Sequence, residues 1–173
     1  MEKEGPQMYG FKAVKFNGKK TARKALNTLE DYTPAYPWID DLAIVSRNNL
    51  GFLSVHSTWS ADGALGEETG WGLITGALIG LLFGPAGAAA GAAMGGSFGA
   101  MFGAIDELAF DDPVLEDFAS SLDRDTSALI LVGEKVTLDD FGSAIEPLGG
   151  TIVSTDIDEK DIQALRKALK HSS

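Results

Sequence analysis

The chain contains no cysteine and only two histidines. The first absence excludes disulfides, a thiolate nucleophile and any zinc or iron–sulfur centre held by cysteine, and it is compatible with a reducing compartment. The second would leave a transition-metal centre dependent on an unusual excess of carboxylates, so no metal is expected. Cations are also scarce, with 14 Lys and Arg against 25 Asp and Glu, giving a formal net charge of −11. Phosphate backbones need cations to neutralise them, so nucleic acid is not an expected partner. The opening MEKEGPQMYGFKAVKF has no cationic segment followed by an apolar core and does not read as a secretory signal. Motifs for nucleotide and ester chemistry are missing too. No G-x-G-x-x-G opens a helix after a strand, no G-K-[ST] follows a glycine run, and Ser60, Ser120 and Ser143 lack a G-x-S-x-G elbow. No catalytic residue and no cofactor is therefore expected, and the chain reads as a non-enzyme.

What is present is a regular succession of short elements. The 173 residues suffice for one domain, or one domain with an insertion. Tyr9, Phe11 and Ala13 alternate with other residues and predict a strand over 8–16, while Ala22, Ala25, Leu26 and Leu29 lie at helical spacing within 18–32. Two apolar runs within 41–59, separated by RNNLG, predict a hairpin. Pro113 opens a helix over 113–122. A strand over 127–134 leads to a short helix over 137–148, with Thr137 at the cap and Asp140 three residues on. A strand follows a glycine stop at 149–157, and a helix closes the chain over 158–171. Strand–helix–strand thus occurs twice, which predicts an α+β, ferredoxin-like split βαβ sandwich of four antiparallel strands with helices on one face. This domain is discontinuous, 1–59 and 110–173, and residues 60–109 are inserted into it.

The insertion holds the most distinctive stretch, GWGLITGALIGLLFGPAGAAAGAAMGGSFGAMFGAI at 70–105, which carries no charged side chain. Gly72, Gly76, Gly80 and Gly84 share one stripe of a first helical arm, and Gly87, Gly91, Gly95, Gly99 and Gly103 share one stripe of a second. Pro85 between them is the natural turn, because proline inside a helix loses a hydrogen bond and clashes with the preceding turn. Glycines in a water-exposed helix cost about 1 kcal/mol each relative to alanine, so close backbone approach must offset them. The other faces, with Leu73, Ile74, Leu78, Ile79, Leu82, Phe83, Met94, Phe98, Met101 and Phe102, are apolar as well, and a helix apolar all round is buried in protein or lipid. The second arm, 86–105, would run about 30 Å and could cross a bilayer; the first, 71–84, at about 21 Å, is short for that. No Lys or Arg occurs from 48 to 123, and Glu67, Glu68, Asp106 and Glu107 flank the hairpin, so the usual cationic anchors are missing. Trp71 and Trp59 could sit at a lipid–water boundary or at a subunit contact.

Other candidates are weaker. His56 reads as an ordinary strand residue meeting solvent or a neighbour, and His171 falls in the terminal helix. The carboxylates Asp111/Asp112, Asp123/Asp125, Asp139/Asp140 and Asp156/Asp158/Asp161 match no calcium loop and read as caps and solvated surface.

A four-spaced glycine hairpin between two strand–helix–strand halves, followed by SALILVGE, GGTIVSTDI and EKDIQALRKAL, resembles the domain of unknown function 1269 family. Its members are uncharacterised and are held to be membrane-associated. The resemblance implies the ferredoxin-like fold and a membrane location, and it carries no catalytic residue. The expected partners are therefore further copies of the chain and a lipid bilayer, with the acidic domain on the cytoplasmic side. The alternative is a cytoplasmic filament or shell with the hairpins buried between subunits. A small-ligand sensor using the sheet face stands behind both, on fold analogy alone.

Overall fold

The computed structural model describes residues 9–32, 38, 41–57, 75, 78, 79, 82 and 113–172. In chain order these form β1 (Tyr9–Asn17), α1 (Thr21–Tyr32), β2 (Ala43–Arg47), β3 (Leu53–Ser57), α2 (Pro113–Ser121), β4 (Thr126–Glu134), α3 (Lys135–Ile145), β5 (Thr151–Ile157) and α4 (Glu159–Ser172). The strands make one five-stranded sheet in the order β3-β2-β4-β1-β5. Every pairing is antiparallel. The protein is thus α+β. The chain leaves β1 through α1, passes over β4 and enters β2; it leaves β4 through α3, passes over β1 and enters β5.

The expected four strands with helices on one face become five strands covered on both. The reason lies in β4, whose Ala128–Val132 run is apolar without alternation and is buried throughout. A strand of that kind has a core on each side. On one face Val14, Phe16, Leu129 and Leu131 meet Ala22, Leu26 and Leu29 of α1 and Leu138, Phe141 and Ile145 of α3. On the other, Phe11, Ala13, Ala128 and Ile130 meet Leu115 and Phe118 of α2 and Ile162 of α4. Phe11 and Phe118 touch edge to face, with ring centroids 5.5 Å apart. Gly10 leaves room for β5 beside β1: a Cβ there would stand 2.7 Å from the Thr155 carbonyl oxygen.

The fifth strand is the second arm of the hairpin read from RNNLG. Its turn is held by Asn48, whose Oδ1 accepts the backbone N–H groups of Leu50 and Phe52 at 2.9 and 3.0 Å. Such side-chain acceptance is why Asn initiates turns. Two cations tie α2 to the sheet. Lys15 Nζ donates to the Ser121 carbonyl at 3.2 Å and Arg47 Nε to the Leu122 carbonyl at 2.8 Å, where the helix dipole favours positive charge.

Boundaries shift by a few residues at several elements, and at α3 the cause is visible. The helix expected from Thr137 starts at Lys135, directly after β4, and Thr137 lies within its first turn. Glu134 occupies the N-cap in an extended conformation without a side-chain cap bond, so no capping residue marked the start. The last predicted turn, Glu146–Leu148, tightens to a 3₁₀ helix, and Gly149 and Gly150 then take φ of 89° and 93°, the glycine stop foreseen.

Candidate functional site

Of residues 60–109, the segment expected to be an inserted hairpin, the structure describes four. Thr75, Leu78, Ile79 and Leu82 are helical, and their spacing puts them on one stripe. Thr75 and Leu78 are wholly buried and Ile79 is 1% exposed. Leu78 and Ile79 belong to the apolar cluster that Phe11, Ala13, Val45 and Ile130 form on the α2 side of the sheet, and Leu82 packs against it. Fully burying two such side chains contributes about 3–6 kcal/mol. One polar contact fixes the register. The Val132 amide donates to Thr75 Oγ1 at 3.1 Å in a buried setting. β2 begins at Ala43, opposite Ile130, so the ladder on that side stops short of Val132. Thr75 supplies the acceptor that a longer β2 would have provided, and a buried amide needs one.

The residues singled out for helix packing, Gly72, Gly76, Gly80, Gly84, Gly87, Gly91, Gly95, Gly99 and Gly103, lie outside the described residues, as do Pro85, Trp71 and Trp59. Among the described residues no helix is long and apolar enough to cross a membrane, and the second arm, 86–105, is not among them. Trp38 is a core residue: its Nε1 donates to Asp140 Oδ2 at 2.7 Å, and its ring meets Phe141 edge to face at 5.2 Å.

The carboxylates go to separate partners. Asp125 Oδ1 accepts the Lys19 amide at 3.1 Å, Asp139 stands 4.0 Å from Lys12 Nζ, and Asp156 accepts from Lys135 Nζ at 2.6 Å. That last contact raises the Lys135 pKa above its usual value, through the hydrogen bond first and the charge second. Among the described residues no three His, Asp or Glu gather as a group that could hold a metal ion. His56 is exposed on β3, across from Ile44 on β2. Ser120 is exposed on α2 and Ser143 on α3, the helices that cover opposite faces of the sheet.

Two features escaped the sequence. Thr75 is one hydroxyl in an uncharged run, and its role depends on where β2 begins. The cations around the start of α1 carry no sequence motif, yet Lys19, Lys20, Arg23 and Lys24 line a cleft beside the β2–β3 hairpin.

No curated protein and no solved structure matches the chain. Residues 69–170 match a family described as a protein of unknown function (DUF1269). The match runs from the insertion into α4 and leaves β1, α1, β2 and β3 outside, narrower than the near-whole-chain resemblance read from the sequence. It covers more than half of the chain and includes the segment that seats the insertion on the sheet, so the protein belongs to the DUF1269 family.

Proposed function

We propose that this is a non-enzymatic structural protein that self-assembles through the glycine-zipper hairpin at 60–109, with the hairpins packed between subunits. The observation that carries this is the seat of Thr75, Leu78, Ile79 and Leu82 on the chain's own sheet. A first arm held there by two buried aliphatic side chains and a hydrogen bond is not free to cross a bilayer, which weighs against a two-span membrane hairpin. In a continuous helix at about 100° per residue, Gly72, Gly76, Gly80 and Gly84 would fall roughly 120° around from the seated stripe, and Leu73, Ile74 and Leu81 would take the remaining directions. Such an arm would have more apolar surface than one sheet covers, and a notch for close approach besides. The second arm and the hairpins of neighbouring copies are the occupants that fit. Of the fold alternatives, a ferredoxin-like sandwich fits best, since β2-β4-β1-β5 with interleaved crossovers is its strand order and β3 adds one edge strand.

The membrane reading retains one support, the uncharged second arm of about 30 Å. Purification without detergent, followed by imaging, separates the two. Regular particles formed without lipid support assembly between subunits. A chain released from membranes by detergent and not by a carbonate wash contradicts it and supports an integral hairpin.

A further inference from the structure

On the face of the sheet away from Leu78 and Ile79 lies a cleft of about 450 Å³ between α1 and the β2–β3 hairpin. Its floor is sheet. Ile44 and His56 face each other across β2 and β3, and Ser46 lies two residues along on the same side. His56 is exposed on this floor, while Ile44 and Ser46 are nearly buried; α1 packs over β4 and β1, and β3 carries the sheet past it. Its wall is cationic, formed by Lys19, Lys20, Arg23 and Lys24.

This wall is electrostatically frustrated. Lys19 and Arg23, and Lys20 and Lys24, are four apart around the start of a helix, where like charges repel. They crowd the helix end whose dipole is positive, and the first turn of α1 holds no acid. Among the described residues, ion pairs form at Lys12 and Lys135 but at none of these four side chains. Asp125 accepts the Lys19 backbone amide through Oδ1 and forms no ion pair with these side chains. In a chain with 25 acidic and 14 basic side chains, four cations stand together without a carboxylate partner among the described residues. A bound anion relieves each of these repulsions.

We propose that the cleft binds a compact phosphate-bearing ligand, its phosphates held by Lys20, Arg23 and Lys24 and its less polar part lying on Ile44 and His56. Arg presents a planar fork that matches phosphate oxygens, and a multivalent anion answers several cations at once. The volume suits a small molecule. A long polyanion would extend beyond the roughly 8 Å screening length into the field of a chain of net charge −11, so compactness is part of the recognition. The phosphate has two possible sources, a free phosphoester or a lipid headgroup.

The full chain, the triple variant Lys20→Ala/Arg23→Ala/Lys24→Ala and the control Lys160→Ala, a cation exposed on α4, are melted with and without inorganic pyrophosphate or adenosine diphosphate, and are sedimented with phosphatidylglycerol vesicles. The wild type and Lys160→Ala should melt several degrees higher with either phosphate probe, less so in high salt. The triple variant should lose at least about tenfold in affinity and, without ligand, melt no lower than wild type. Vesicle binding that needs the same three cations, without a shift from the free phosphates, assigns the phosphate to a lipid headgroup. No response to any probe, or a response the triple variant keeps, overturns the proposal.

Discussion

Replacing Leu78 by alanine removes the centre of the contact between the insertion and the sheet. Leu78 is wholly buried, and its neighbours are the strands and α2, elements that cannot all collapse into the space left. A buried Leu→Ala change of this kind costs about 2–5 kcal/mol, transfer and cavity together. At ~3 kcal/mol a chain of this length should melt roughly 6–12 °C lower. Thr75→Val isolates the polar part, because the shape is kept while the Val132 amide loses its acceptor; leaving a buried donor unsatisfied costs about 1–3 kcal/mol. Thr75→Ser keeps the hydroxyl and should recover much of that. Leu50, 72% exposed at the β2–β3 turn, is the control, and Leu50→Ala should stay within about 0.5 kcal/mol of wild type. Urea unfolding followed by circular dichroism gives the energies, and hydrogen exchange at the Val132 amide reports the bond itself. If Leu78→Ala behaves like Leu50→Ala, and Val132 exchanges equally in Thr75→Val and Thr75→Ser, the first arm is not seated on the sheet and the reasoning fails.

Three further outcomes are expected. Asp140→Ala takes the acceptor from a Trp38 indole that is 2% exposed, so it should cost about 1–3 kcal/mol in urea unfolding, whereas an unchanged midpoint would mean the bond contributes nothing. Gly10→Ala sets a methyl against the Thr155 carbonyl, a backbone atom that cannot step aside, and should lower stability by about 1–3 kcal/mol; a neutral result would show β5 is free to shift. Lys135 titrates above its usual 10.5 because of Asp156, so the pair contributes fully below that value and fades as pH rises through the raised one. A side-chain NMR titration should show Asp156→Asn bringing the midpoint back down.

Elements fixed by local chemistry were legible in the residues. The alternation in β1, Pro113 at the start of α2, Asn48 in its turn and the Gly149–Gly150 stop each act within a few positions, and each produced the expected element. Features set by long-range pairing were not. The apolar run Ala128–Val132 carried a sign that both faces of the sheet are covered, but which helices cover them depends on the order β3-β2-β4-β1-β5. The start of α3 was missed because no capping side chain marks it. Thr75 matters only because β2 begins two residues too late to serve Val132, and the cationic wall becomes a cleft only because β3 widens the sheet beside α1. Of the candidate site, the insertion and its apolar stripe could be read, while the glycine stripes and Pro85 fall outside the described residues.

Sedimentation velocity of the purified full chain in detergent-free buffer, beside Gly91→Leu, puts self-assembly to the test. On the proposed assembly, a side chain at Gly91 would fill the notch through which hairpins approach one another. Wild type should sediment as a multimer and Gly91→Leu as a smaller species with the same circular dichroism spectrum. A monomeric wild type, or a multimer whose mass Gly91→Leu leaves unchanged, would contradict assembly through the glycine hairpin.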